Sequence, residues 1–294
     1  MNVPLFLGLI IPATVLLGIY DTLARKILKT GLDPRIVLAI TFCFSGLLLF
    51  IVSLIVGFPE INPGFWKFFT ATVLMNTFAQ WFWFKAFAKE DASLISPFRL
   101  ISPPFMIVAG LVFLGEKTSL FGAVGIFITV LGMFFLLHEE ALIENKSFFE
   151  IIKRPGVLFA IIGAISFAIT LPLDKGAIVR SSALFFSGIA FFSVGFLNIL
   201  ISLLFKEWDR KIISKLGKIK KEFPIFIIIH AFGTFLAMEA LNYALAAYAG
   251  SVKRLTSLWA VLIGGKFLKE KNIFRKAMAT IIMLAGIAVT LLFG

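Results

Sequence analysis

Long apolar runs separated by short polar connectors dominate this chain. An α-helix needs about 20 apolar residues to cross the hydrocarbon core of a bilayer. Ten stretches meet that length: 3–28, 36–58, 65–88, 93–114, 119–137, 156–178, 183–205, 223–247, 251–268 and 273–293. Gly, Pro and charged residues punctuate most of the breaks, as in Gly57-Phe58-Pro59 and Glu116-Lys117. The pattern predicts an all-α integral membrane protein of about ten transmembrane helices. The longest polar connectors are 138–155 and 206–222, and the first falls at the midpoint of the chain.

The two halves resemble each other. A shift of 154 residues lays Phe113-Leu114-Gly115-Glu116-Lys117 on Phe267-Leu268-Lys269-Glu270-Lys271. In the same register Gly110 falls on Gly264 and Gly132 on Gly286. The organisation expected is a repeat over 1–138, a connector over 139–155 and a second repeat over 156–294. Five helices per repeat is an odd number, so the second repeat must enter the membrane upside down relative to the first. Inverted repeats let two similar halves exchange conformations around a central site, which is how many solute carriers work.

Charge agrees with this arrangement. Of the 28 Lys and Arg, 21 follow odd-numbered spans and six follow even-numbered ones, with Arg99 inside the fourth span. The positive-inside rule then places the odd connectors in the cytoplasm and both termini outside a cell membrane crossed many times. Composition closes off the soluble reading, since 60% of residues are hydrophobic, 15% are charged, and mean hydropathy is +1.02. The net charge of +12 is thereby read as topology rather than as affinity for nucleic acid. The first residues carry no Lys or Arg before the apolar run, so the first span is expected to stay as a helix and not as a cleaved signal. One cysteine, Cys43, excludes an intramolecular disulfide and reads as a small buried hydrophobe.

Leu114-Gly115-Glu116-Lys117, followed by Gly125 and Leu131-Gly132, resembles the end of the first EamA-type repeat of the drug/metabolite transporter superfamily. The segment from Glu270 to Gly286 resembles the same signature in the second repeat, and Ile101-Ser102-Pro103 is similar to that family's fourth-helix motif. The resemblance spans nearly the whole chain. It implies a ten-helix carrier with a central cavity lined by helices 1, 3, 4, 6, 8 and 9. It also implies cytoplasmic termini, against which the charge count argues.

An ionisable side chain at the centre of a membrane costs about 2.5–3.5 kcal/mol on insertion scales, so each one in a span needs a reason. Arg99 lies six residues into the fourth span, and its repeat mate is Lys253, followed by Arg254. Together the three form a candidate clamp for an anion, with Arg suited to bidentate contact and Lys to a point charge. The Lys253-Arg254 pair resembles one in the ninth helix of sugar-phosphate/phosphate translocators. The alternative for each is snorkelling to the membrane edge.

Glu239 lies inside the eighth span, with Asn242 and Tyr243 one turn on. It is expected to neutralise one of these cations, to bind an amine or to carry a proton. Asn76 and Gln80, one turn apart in the third span, could face a wet cavity or bond between helices. Trp81 and Trp83 suit interface anchors or cavity walls. Asp21 and Asp174 are read as paired with neighbouring Lys or Arg at the membrane edge, and Lys175 as snorkelling. His230 stands alone by spacing, so no metal site is expected. Trp208, Ile212, Leu216, Ile219 and Phe223 line one side of a helix whose remainder is crowded with Lys, which predicts an interfacial helix on an anionic leaflet.

The function expected is secondary transport of a small organic anion by alternating access. The alternative is export of amino acids or amine-type metabolites, with Glu239 on the amine. An integral membrane enzyme is the third class, but the chain has no H-E-x-x-H, Gly-x-Ser-x-Gly, Cys-x-x-Cys or phosphate-binding loop. No cofactor is called for, and the partners expected are a small-molecule substrate and membrane lipids.

Overall fold

The computed structural model describes residues 3–115, 124–125, 127–128, 131–132, 134–135, 138–139, 142, 145–204, 217, 221–268 and 273–293. Among these the regular structure is all helix, with no strand. Three long helices come first: α1 (Val3–Leu28), α2 (Pro34–Val56) and α3 (Phe65–Lys89). Next come the short α4 (Ala92–Ile95), a 3-10 segment (Ser96–Ile101) and α5 (Ser102–Leu114). The second half holds α6 (Phe148–Ile152), α7 (Pro155–Ile178), α8 (Ala183–Leu204), α9 (Glu222–Glu239) with a 3-10 turn (Ala240–Asn242), α10 (Ala246–Lys253), α11 (Leu255–Leu268) and α12 (Ile273–Phe293).

The helix ends follow local chemistry. Asp33 caps α2, its carboxylate accepting from Arg35 N–H at 2.8 Å, and Pro34 stands where no intrahelical donor is needed. Gly115 ends α5 in the left-handed conformation, φ 68°, which glycine adopts without strain. Outside the spans, Ser147 and Glu150 form a capping box on α6, and the Ser147 N–H and hydroxyl hold the Glu150 carboxyl below the usual carboxylate range.

Among the described residues, five helices are long and apolar enough to cross a membrane: α1, α2, α7, α8, and α9 with its 3-10 turn. Helices α3 and α12 have the length, 25 and 21 residues. The expected fourth and ninth spans are composite elements whose longest single helices are α5, of 13 residues, and α11, of 14 residues. Much of the expected fifth span, the charged residues of both repeat signatures and most of the 206–222 segment lie outside the described residues. Large apolar side chains such as Ile55, Leu204 and Phe274 are nearly four-fifths exposed, as a surface turned to lipid requires.

Packing joins the halves rather than separating them. α2 lies along α8, α3 along α7, and α1 against both α9 and α11, while α5 packs on α7. Let α1, α2, α3 and the α4–α5 unit correspond to α7, α8, α9 and the α10–α11 unit. Exchanging the halves then maps α2–α8 onto itself, α3–α7 onto α9–α1, and α1–α11 onto α7–α5. Small residues make the central pair possible. A Cβ on Gly46 would meet the Phe192 backbone, and one on Gly188 would lie 2.7 Å from Phe50 N.

Candidate functional site

A cavity of about 80 Å³ sits where α1, α3, the 3-10 segment, α7, α9 and the α10–α11 junction converge. Its wall includes Tyr20 and Asp21 from α1, Asn76 and Gln80 from α3, and Arg99 from the 3-10 segment. From the second half come Thr170 and Asp174 of α7, His230 and Thr234 of α9, and Lys253, Arg254 and Thr256 at the junction. Both composite elements break there. The fourth tightens to 3-10 geometry from Ser96, with Pro97, which has no N–H to give, in its first turn. The ninth is interrupted at Arg254, between α10 and α11. Ser257 Oγ donates to Ser96 O at 2.7 Å and locks the two breaks together.

Arg99 does not hang free in this space. It is ion-paired with Asp21, which is completely buried, and its guanidinium lies 4.2 Å from the centre of the Trp83 ring. Asp21 is therefore not an edge residue paired with its neighbours in sequence. Arg25 turns away to Asp91, at 3.2 Å, and to Phe87 O. Asp174 is likewise buried in the wall, accepting from the Thr72 hydroxyl and from Asn76 Nδ2 at 3.4 Å. Lys175 donates to Ala244 O at 2.9 Å.

Of the residues expected at the site, Arg99, Lys253, Arg254, Asn76 and Gln80 line the cavity, whereas Glu239 and Tyr243 do not. Those two bond each other, Tyr243 Oη donating to Glu239 Oε1 at 3.2 Å. The neutralising role expected of Glu239 falls to Asp21. Trp83 is buried beneath Arg99, and the Trp81 ring carries Arg35 at 4.4 Å and Lys85 at 3.9 Å. His230 has its Nδ1 2.8 Å from Ser45 Oγ and is surrounded by the rings of Tyr20, Phe42 and Phe191. Among the described residues no group of His, Cys, Asp and Glu could hold a metal ion.

Several wall groups lack a partner. Tyr20 Oη, Asp21 Oδ1, Arg254 Nε and Thr256 Oγ1 are buried without a hydrogen bond among the described residues. The Arg254 guanidinium reaches Met106 Sδ, at 3.9 Å. The Lys253 side chain makes no hydrogen bond or ion pair with any described residue. Unmet polar groups converging on one space are what a polar solute can satisfy.

One end of the bundle is tied by charge. Lys29 joins Arg25 on Asp91, Arg154 reaches Glu90 at 3.6 Å, and Lys26 reaches Glu222 at 3.2 Å. These bridges bring together the last turns of α1 and α3 and the first turns of α7 and α9. At the opposite end Asn62 N–H donates to Arg180 O at 2.9 Å, joining the α2–α3 and α7–α8 connections.

No match was found among curated protein sequences. A crystal structure of another protein superposes with a TM-score of 0.65 over 96% of this chain and 99% of that one. At 17% identity, that likeness speaks for the fold alone. The sequence profile of the EamA-like transporter family matches residues 5–138 and again 154–292, one match on each side of the midpoint connector. The chain thus belongs to the EamA-like transporter family, and it is a membrane transporter of small molecules.

Proposed function

We propose that this protein is a secondary transporter in which two inverted halves, 1–138 and 156–294, rock about the central cavity. Its cargo is a small organic anion, a carboxylate or a phosphate ester. The observation that carries this reading is the state of the cations. Asp21 takes up the charge of Arg99, but Lys253 and Arg254 face the cavity without a carboxylate in ion-pair contact among the described residues. An anion docking there gains charge-assisted hydrogen bonds worth about 1.5–3 kcal/mol each.

Uptake into proteoliposomes, with small carboxylates and phosphate esters as cargo, tests the assignment. Lys253→Met and Arg254→Met are each expected to weaken apparent affinity by about ten- to a hundredfold while the protein still folds. Affinity at the wild-type level in both variants would remove the anion assignment.

A second reading rests on Asp174, which offers a carboxylate in the same cavity as Lys253 and Arg254. A zwitterion could place its carboxylate on the two cations and its amine on Asp174. Asp174→Asn would then lose amino acids as cargo but keep anions that lack an amine.

Orientation follows from the charge bias, which puts the termini outside and the Arg25–Asp91 end in the cytoplasm. In a Cys43→Ser background, a cysteine at exposed Asn62 is expected to react with an impermeant reagent in intact cells, and one at exposed Lys29 to be protected. The reverse pattern would mean that the charge count misleads.

A further inference from the structure

The cavity is built from mirrored positions. At a shift of 154 residues Asn76 corresponds to His230, Gln80 to Thr234 and Arg99 to Lys253, and all six line it. On α1 and α7 the correspondence runs at 153 residues, where Asp21 meets Asp174 and Leu17 meets Thr170, again all in the wall. Each half therefore brings a carboxylate on its first helix and a cation on its fourth.

The mirrored groups are not in mirrored states. In one half the carboxylate and cation are joined, Asp21 to Arg99. In the other, Asp174 is held by Thr72 and Asn76, and Lys253 makes no ion pair with any described residue. The groups needed for the second pair are present and share one cavity, so their composition does not explain the difference. Two halves of one plan caught in two local arrangements are what a two-state device presents in a single conformation.

We propose that Asp174 and Lys253 form a second ion pair, the mirror of Asp21–Arg99, and that the two pairs are made alternately. The state described here has the first closed and the second open, and the opposite-facing state has the reverse. An anionic cargo on Lys253 occupies the place that the Asp174 carboxylate takes in that opposite state, so release of cargo and closure of the second pair are one event. Asp21, once released, has in His230 the counterpart of Asn76. This inference rests on the alternating-access reading given above.

Double electron–electron resonance separates the two claims. Spin labels go on a Cys43→Ser protein at Ala88 and Lys221, across the end bearing the charge bridges, and at Asn62 and Asn242, across the other end; all four positions are exposed. Asp174→Asn and Lys253→Met break no ion pair present here, yet each is expected to raise the share of the described state by about threefold or more. Asp21→Asn is expected to move the ratio the opposite way. Two distance populations whose ratio ignores Asp174 and Lys253, or that moves alike for both aspartates, would overturn the alternation and leave the transport reading standing. A single, cargo-independent distance at each end would overturn both. Should Asp21→Asn fail to fold, the Asp174 and Lys253 variants alone still decide the matter.

Discussion

Replacing Arg99 with methionine is expected to cost about 3–5 kcal/mol of folding free energy, the range for breaking one side of a buried ion pair. The burden falls on Asp21, which is fully buried and already has one oxygen unpartnered. Without Arg99 its other oxygen keeps only the Ser96 hydroxyl, 3.5 Å away. The loss should be strongly non-additive. Arg99→Met combined with Asp21→Asn removes both charges and is expected to recover most of the stability, because the uncompensated carboxylate is gone. Equilibrium unfolding of the purified protein in detergent, read for both single variants and the double, measures this coupling. An Arg99→Met protein as stable as wild type would mean that the pair contributes nothing and that Asp21 has another counter-charge.

The second large effect belongs to the α2–α8 contact. A Cβ on Gly46 would collide with the Phe192 backbone nitrogen and lie 2.8 Å from both Phe192 Cα and Gly188 O. These are backbone atoms of a helix and cannot swing aside. Gly46→Leu must therefore separate the two helices, at a cost of about 3 kcal/mol by overpacking. Gly8→Leu is the control, because a Cβ there meets nothing within 4 Å. A clear fall in melting temperature for the first and little change for the second is the expected pair of results. Equal melting temperatures would show that α2 and α8 are not packed this closely.

Elements governed by their own residues were legible in the sequence. The first span is expected over 3–28 and observed as Val3–Leu28, and the seventh, expected over 183–205, is helical over all its described residues, Ala183–Leu204. The eighth, expected over 223–247, is an α-helix only over Glu222–Glu239. Nothing in Glu239-Ala-Leu-Asn-Tyr-Ala-Leu245 is a strong helix breaker, so the apolar run reads as continuous to residue 247. The chain nonetheless leaves the α-helix after Glu239, and a distant side chain, Lys175, takes up the freed carbonyl of Ala244. Such a break is set by tertiary structure.

The site divides along the same line. Arg99, Lys253, Asn76 and Gln80 could be found because each is polar in an apolar run and two of them are repeat mates. Asp21 and Asp174 have basic residues nearby in sequence that read as partners, whereas their actual partners lie 78 and about 100 residues away. A repeat search held at 154 residues also misses their correspondence, which needs one residue less. His230 falls on Asn76 at the same shift of 154 residues, so its place in the wall is legible from the repeat although its spacing to other ligand types shows no metal site.

The interlocking of the halves bears on how the protein is made. Helices α1, α2 and α3 leave the ribosome long before α7, α8 and α9, against which they pack most extensively. Until those arrive, Thr72 and Asn76 lack Asp174, so polar groups must wait in or beside the bilayer unsatisfied. Early helices can insert one by one, but assembly has to follow completion of nearly the whole chain, as contacts this distant in sequence dictate. A nascent chain halted at the midpoint connector would be an inserted but unassembled intermediate, exposed to membrane quality control until its second half is synthesised.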